Sequence, residues 1–412
     1  MTAAALALGG CSSTTGPGAG AGASATSGAG STGTSGSATT GSTASGASVA
    51  SGATPGGSGS GTSVGGTGSP AMAGASSGGA SGSSGVGTSG SGSTSASGAA
   101  SGSGAATGGT DGGAPTLVAP IERGNLDVYQ FGDATFTVDG TQGARITGFA
   151  IDGTNVLTGP TVNAQFWGAT FWTAPQGDWW MNDVPPNYAP IDYAPYAMTV
   201  GADSSITAVG TTATFATPPK QVSVTKNFTF DSATASVGIS YSMTNQGTAS
   251  IKLGHWELAR VLPGGLTFYA AAAAPPVIPY GVMNLQKIGA YLWFDETTFP
   301  KGGAAAKSVG DAAMGSGWIA HVVPDPAGPL VLIRTFPDIP VGSAGTGDGE
   351  VEIFMQTNGT YEEIETHNEL LTIAAGQSVP WQVHWVLRRL PVGTAVTAGN
   401  QALVDFVLKQ LP

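Results

Sequence analysis

Every charged and every aromatic side chain of this 412-residue chain lies at or after Asp111, so a packed core can come only from the last ~300 residues. Residues 12–110 are almost wholly Ser, Gly, Thr and Ala, a composition that buries too little apolar surface to offset backbone entropy. The expectation is a disordered linker over residues 12–113, with an end-to-end distance on the order of 55 Å for a Gly/Ser coil. Gly-x-Gly matches inside it, such as Gly18-Ala19-Gly20, carry no nucleotide-binding signal, because no strand precedes them and no helix follows. The formal net charge of −12 belongs to the remainder of the chain and argues against nucleic acid as a partner. That remainder shows no internal linker, and one domain over residues 114–412 is expected.

The chain opens on small and apolar residues and reaches its only cysteine in Leu8-Gly9-Gly10-Cys11. This run resembles the lipobox of bacterial lipoproteins, in which the cysteine becomes the lipidated first residue. The resemblance implies a signal-peptide remnant over residues 1–11, a lipid anchor at Cys11 and a place in the bacterial cell envelope. Ser12 after the cysteine points to the outer membrane. Residues 1–10 are shorter than a signal peptide of roughly 15–30 residues and carry no Lys or Arg, so the start codon is expected further upstream. No other segment approaches the ~20 consecutive apolar residues of a membrane span, so the chain reads as anchored to a membrane and not spanning it. A single cysteine also excludes disulfides within the chain.

From Phe136 onward the pattern is β. Residues 136–138, 144–151, 221–230, 237–243, 251–261, 330–336, 350–355 and 381–387 are short runs of Val, Ile, Thr and aromatics separated by Gly, Pro, Asn and Asp. Asp152-Gly153 reads as a hairpin turn. Only the C-terminus reads as helix, with Leu403, Phe406, Val407 and Leu411 on one stripe after a cap at Asn400, and this helix is expected to close one end of a sandwich.

Three places could carry chemistry. In the strand containing Tyr361, Glu363, Glu365 and His367, these four side chains share one face and Ile364 takes the other, which puts two carboxylates side by side; a solvated outer face is the plainer reading. His255, in Gly254-His255-Trp256-Glu257, is a proton-exchange candidate, although a strand histidine also serves structurally. His321 and His384 are set aside, the first because it opens a hydrophobic run, the second because it lies opposite an apolar face. The third place is an aromatic concentration, Phe166, Trp167, Phe171, Trp172, Trp179 and Trp180, followed by a Pro/Tyr-rich stretch. Lacking periodicity, it reads as an ordered functional loop. With Gln176 it would suit the apolar face and hydroxyl rim of a sugar, or it could plug the sandwich end.

Gly143-Ala144-Arg145-Ile146 ahead of Asp152-Gly153 resembles the opening strands of galactose mutarotase-like proteins. Gly254-His255-Trp256-Glu257 resembles the part of aldose 1-epimerases that supplies the catalytic histidine, and Glu365-Thr366-His367 falls where that family places its glutamate. Phe171 to Gln176, Val261 to Gly265 and Ala375 to Trp385 are similar to the DUF4380 branch. Together these span about residues 120–391. The resemblance implies an all-β supersandwich with a concave groove, a short C-terminal helix and carbohydrate as partner. It implies Glu365 as base and His255 as acid in ring opening, with Glu363 as the alternative base. Arg145, Trp172, Gln176, Trp179 and Glu257 are the candidate substrate-binding side chains. Epimerases usually place a further histidine in an early loop, where this chain offers Phe171, Trp172 and Gln176.

The expected function is therefore carbohydrate binding in a mutarotase-like groove, with aldose-epimerase chemistry as its catalytic form. A second reading is a noncatalytic surface protein that engages protein or envelope glycan through the aromatic loop. Glycoside hydrolysis fits less well: Glu363 and Glu365 share one strand, so a second carboxylate such as Glu257 would have to face them across the groove. No cofactor is expected. No metal is expected either, because no His/Cys cluster has zinc spacing and Asp348-Gly349-Glu350 lacks the other oxygen ligands of a calcium loop.

Overall fold

A computed structural model describes residues 117–180, 186–231 and 233–411. The expectations for Cys11 and for the linker to residue 113 lie outside those residues. The described chain is an all-β sandwich of two antiparallel sheets with a short C-terminal helix.

The first sheet runs, in spatial order, Leu117–Arg123, Leu126–Phe131, Ala134–Asp139, Arg145–Ile151, Ala169–Ala174, Ile251–Val261, Glu362–His367, Val351–Met355, Ala306–Gly310 and Val277–Tyr280. The second runs Leu285–Ile288, Tyr291–Asp295, Leu266–Ala270, Trp318–Val323, Leu330–Thr335, Ser378–Arg389, Ser236–Asn245, Lys220–Asp231, Ile206–Val209 and Ala197–Val200.

Strand patterning decides how each sheet is covered. Lys220–Asp231 alternates, with Val222, Val224, Lys226 and Phe228 buried and the residues between them more exposed, as an antiparallel strand does when one face meets the core. Ile251–Val261 is instead buried along nearly all its length, so both faces of the first sheet are covered at its centre. Phe136, Phe149, Phe228 and Trp385 meet between the sheets in edge and tilted contacts. At Asp152-Gly153 both residues adopt positive φ, 51° and 83°, the geometry of a two-residue hairpin between Arg145–Ile151 and Thr154–Asn155.

Two sequence expectations are corrected. The aromatic stretch is not all loop, since Ala169–Ala174 is a strand pairing with Ile251–Val261 through Trp172 opposite Trp256. Buried on both faces, it has no alternation to betray it. The helix Gln401–Leu408, capped by Asn400 as expected, does not close an end. Leu403, Val404 and Val407 cover the outer face of the second sheet, against a second core that includes Phe268, Trp293, Trp318 and Ile333. Fully burying each such side chain contributes about 1.5–3 kcal/mol.

Candidate functional site

The strand Ile251–Val261 divides its polar residues between two faces. His255 and Glu257 point inward, between the sheets. His255 is fully buried and its Nε2 lies 3.1 Å from the Val379 carbonyl; a carbonyl only accepts, so Nε2–H donates. Its ring stacks on Trp381, and burial pushes its pKa down to about 4. Glu257 accepts from Tyr241 Oη at 2.5 Å and from Trp385 Nε1 at 3.3 Å, and it pairs with Arg334 Nη2. This corrects the expectation that His255 acts with Glu365 and that Glu257 could face the other carboxylates: Glu365 lies on the opposite side of the sheet from both. His255 and Glu257 join the two sheets instead.

Outward, away from the second sheet, point Trp256, Leu258 and Arg260. Register aligns them with the expected polar face of the neighbouring strand, because His367 lies opposite Trp256, Glu365 opposite Leu258 and Glu363 opposite Arg260. One strand further, Glu352 lies opposite Glu365. Lys307 Nζ completes the group at 2.5 Å from Glu352 Oε2 and 3.4 Å from Glu365 Oε2. Trp256 Nε1 donates to Glu365 Oε2 at 2.8 Å, and the Trp256 ring stacks on His367. His367 Nε2 stands 3.4 Å from Glu352 Oε2. Arg260 Nε donates to Glu363 Oε1 at 2.7 Å, and its guanidinium lies over Trp172.

The electrostatics of this face set its carboxylates apart. Burial alone would raise both Glu352 and Glu365. At Glu352, Lys307 and His367 overcome it and hold the carboxyl below its usual range. At Glu365 burial wins over Lys307, helped by the nearby Glu352 and Glu363 charges, and the carboxyl is raised well above it. Environments that push two carboxyls apart in this way are how proteins keep one as donor and the other ionised. Several polar atoms here make no hydrogen bond among the described residues: Glu365 Oε1, both ring nitrogens of His367, Trp172 Nε1 and Arg260 Nη2. Buried polar atoms are ordinarily paired, so five on one sheet face mark it out.

The remaining expected substrate-binding side chains are placed apart from this group. Trp179 is 1% exposed, stacks on Tyr188 at 4.0 Å and donates through Nε1 to the Thr173 carbonyl. It supports Trp172 by packing and presents no free adhesive surface. Gln176 lies in a short 3-10 turn, Gln176–Asp178, just beyond the strand. Arg145 is buried, donates through Nη1 to the Gln165 and Trp167 carbonyls and pairs with Asp192 at 3.6 Å, holding the segment that carries Phe166.

Reading residues alone missed Lys307, Glu352 and Trp256. Lys307 and Glu352 stand in no motif, Trp256 stood in Gly254-His255-Trp256-Glu257 without a role of its own, and only strand pairing assembles the three. Also missed was a second cluster, Glu296, His321 and Glu362, on the inner side of the first sheet. His321 is buried there beside two carboxylates and is not merely the opening of an apolar run. No helix among the described residues is long and apolar enough to cross a membrane.

No protein-family model matches the chain, and no curated protein matches it. Among solved structures it is similar to a putative aldose 1-epimerase from Escherichia coli K12, with 14% identity over 67% of this chain and 100% of that one, and a TM-score of 0.40. A galactose mutarotase-like protein from Lactobacillus casei ATCC 334 gives 12% identity over 66% and 100%, with a TM-score of 0.41. A galactose mutarotase related enzyme from Lactobacillus acidophilus gives 9% identity over 69% and 98%, also at 0.41.

Proposed function

We propose that the outer face of the first sheet binds carbohydrate and exchanges protons with it in an aldose-epimerase type of reaction. The observation that carries this reading is the set of unpaired buried polar atoms beside the Trp172 and Trp256 indoles. A sugar matches both features, since its C–H faces pack on aromatic rings while its hydroxyls satisfy donors and acceptors. The face meets solvent at Glu363 and Lys307, whose side chains are 11% and 14% exposed, and at half-buried Phe166 and Trp180.

The roles follow from the proton positions. Glu365 Oε2 accepts from Trp256 and faces Lys307, so the proton of a neutral Glu365 sits on Oε1, the unpaired oxygen. Glu365 is then the acid toward the ring oxygen, and His367 accepts the proton of the anomeric hydroxyl. The ring opens, and it recloses on the other face with both protons returned. These roles replace the pairing of Glu365 as base with His255 as acid. Glu363, held by Arg260 Nε at 2.7 Å, is a positioning residue.

The test is NMR of the full chain against a panel of aldoses, recording saturation transfer and anomeric exchange together. Exchange should be accelerated, and Glu365→Gln should cut that acceleration by at least ~100-fold while leaving saturation transfer in place. Silence in both readouts across the panel would sink the proposal.

The same reading places the domain in a bacterial envelope, tethered through Cys11, on the strength of the Leu-Gly-Gly-Cys run and the Ser/Gly segment that follows. Cys11→Ser should move the protein from the membrane to the soluble fraction of cells. Unchanged fractionation would remove the anchor.

A further inference from the structure

We propose that Glu296, His321 and Glu362 bind a divalent first-row transition cation, zinc or manganese, between the two sheets. His321 comes from Trp318–Val323 of the second sheet, and Glu362 opens Glu362–His367 of the first. Glu296 follows Tyr291–Asp295, at the start of a 3-10 turn. His321 Nδ1 lies 3.7 Å from Glu296 Oε1 and 3.8 Å from Glu362 Oε2, and the three ligand atoms fall within 4.8 Å of one another. A tetrahedral ion with bonds of about 2.0–2.2 Å needs its ligand atoms roughly 3.4 Å apart. A contraction of a few tenths of an ångström along the two His321 contacts meets that for the imidazole, and the two carboxylate oxygens, within 4.8 Å of each other, close by side-chain rotation.

Hydrogen placement leaves a gap of the right kind. His321 Nε2 faces the Leu262 carbonyl at 3.3 Å, so Nε2 carries the hydrogen and Nδ1 presents a lone pair. Thr267 Oγ1 donates to Glu362 Oε1 at 2.5 Å, so its one hydrogen is committed, although the oxygen is only 2.8 Å from Nδ1. Glu296 Oε2 is held by the amides of Gly264 and Gly265. Glycine is required at 265 for that approach, because a Cβ there would stand 2.1 Å from the Val322 carbonyl. What remains is one nitrogen lone pair and two carboxylate oxygens, Glu296 Oε1 and Glu362 Oε2, that accept from no donor group among the described residues and, without a cation, can share a proton only with each other. All three side chains are at least nine-tenths buried.

The other carboxylate and histidine group shows the contrast. Glu352, Glu365 and His367 offer a similar donor set, but Lys307 already supplies a positive charge there. No Lys or Arg pairs with Glu296 or Glu362 among the described residues. One imidazole with two carboxylates suits zinc or manganese. A cavity of about 300 Å³ lined by Pro263, Gly264, Glu296, Phe299 and Met355 offers a route from solvent, and Thr267 Oγ1 or a water would complete the coordination. The ion would clamp one sheet to the other.

The experiment uses the full chain, stripped with a chelator and then given Zn²⁺ or Mn²⁺ alone. Metal content after desalting, the thermal midpoint and the zinc-edge absorption fine structure are read. The expected result is about one equivalent per chain, a midpoint raised by about 5 °C at saturation, and a nitrogen/oxygen shell containing one imidazole. His321→Ala should abolish retention and His367→Ala should keep it. Should His321→Ala fail to fold, Glu362→Gln, close to isosteric, is read the same way, and the wild-type measurement stands apart from both. No retained metal and no shift with either ion would overturn the site and leave a shared proton between the carboxylates. Sulfur in the shell, or retention by His321→Ala, would place the ion elsewhere and overturn it equally.

Discussion

Arg334→Met is expected to lower the stability of the chain by about 3–5 kcal/mol at neutral pH, seen as a lower denaturant midpoint at unchanged slope. Arg334 stands on Leu330–Thr335 of the second sheet and reaches across the core. Its Nη1 donates to the Ile364 carbonyl at 2.6 Å and its Nη2 to Thr366 Oγ1 at 2.9 Å, both on the first sheet. Nη2 also pairs with the Glu257 carboxylate, and the guanidinium lies over Trp385. Methionine keeps much of the stem volume but none of the donors. Glu257, 1% exposed, would keep only the Tyr241 hydroxyl and the Trp385 indole as partners for a buried charge. Breaking a buried pair from one side is far costlier than replacing both members. The double variant Arg334→Met, Glu257→Gln should therefore recover part of the loss. A single variant costing under ~1 kcal/mol would show that this pair does not hold the sheets together.

Much of the frame was legible because it depends on local chemistry. Ile251–Val261 appears with the bounds its Val/Ile/aromatic run suggested, Asp152-Gly153 makes its hairpin, and Asn400 caps its helix. The shared face of Glu363, Glu365 and His367 follows from the two-residue period of a strand and is also found. What was hidden depends on pairing. Whether His255 or Trp256 shares the face of Glu365 is decided by register, and Glu365 lies opposite Leu258, which puts even-numbered residues of that strand on its side. A register slip of one residue would have put His255 there instead. The resemblance pointed to Ile251–Val261 and Glu362–His367, which pair, but not to the side chains that share a face. Lys307 and Glu352 were invisible for the same reason, as was the meeting of Glu296 with His321 and Glu362. Ala169–Ala174 was hidden differently: buried on both faces, it carries no alternation to read.

Lys307→Met should cost about as much as Arg334→Met at pH 7, roughly 3–5 kcal/mol, but its cost should shrink in acid. Lys307 is the cation of its cluster, at 2.5 Å from Glu352 and 3.4 Å from Glu365, and its ammonium lies over the Trp256 ring, 5.3 Å from the centroid. Asp348, Glu363, His367 and Tyr280 also act on this group. Burial works against every charge here, yet Glu352 is held below its ordinary range because Lys307 and His367 outweigh it. A carboxyl whose folded pKa is depressed contributes stability that is present above its unfolded pKa of about 4.5 and is lost as pH falls through the folded value. In the variant burial prevails, so Glu352 joins Glu365 in taking up a proton, and the penalty is that of neutralising a carboxylate that water would leave ionised. At pH 3 the unfolded chain is largely protonated as well, and most of that penalty disappears. Denaturant titrations of both proteins at pH 7 and pH 3 decide the matter: a stability difference that falls by more than half in acid supports an ionised Glu352 held by Lys307. An equal difference at both values would mean that the lysine acts through packing on Trp256, and that the division of labour between Glu352 and Glu365 does not exist.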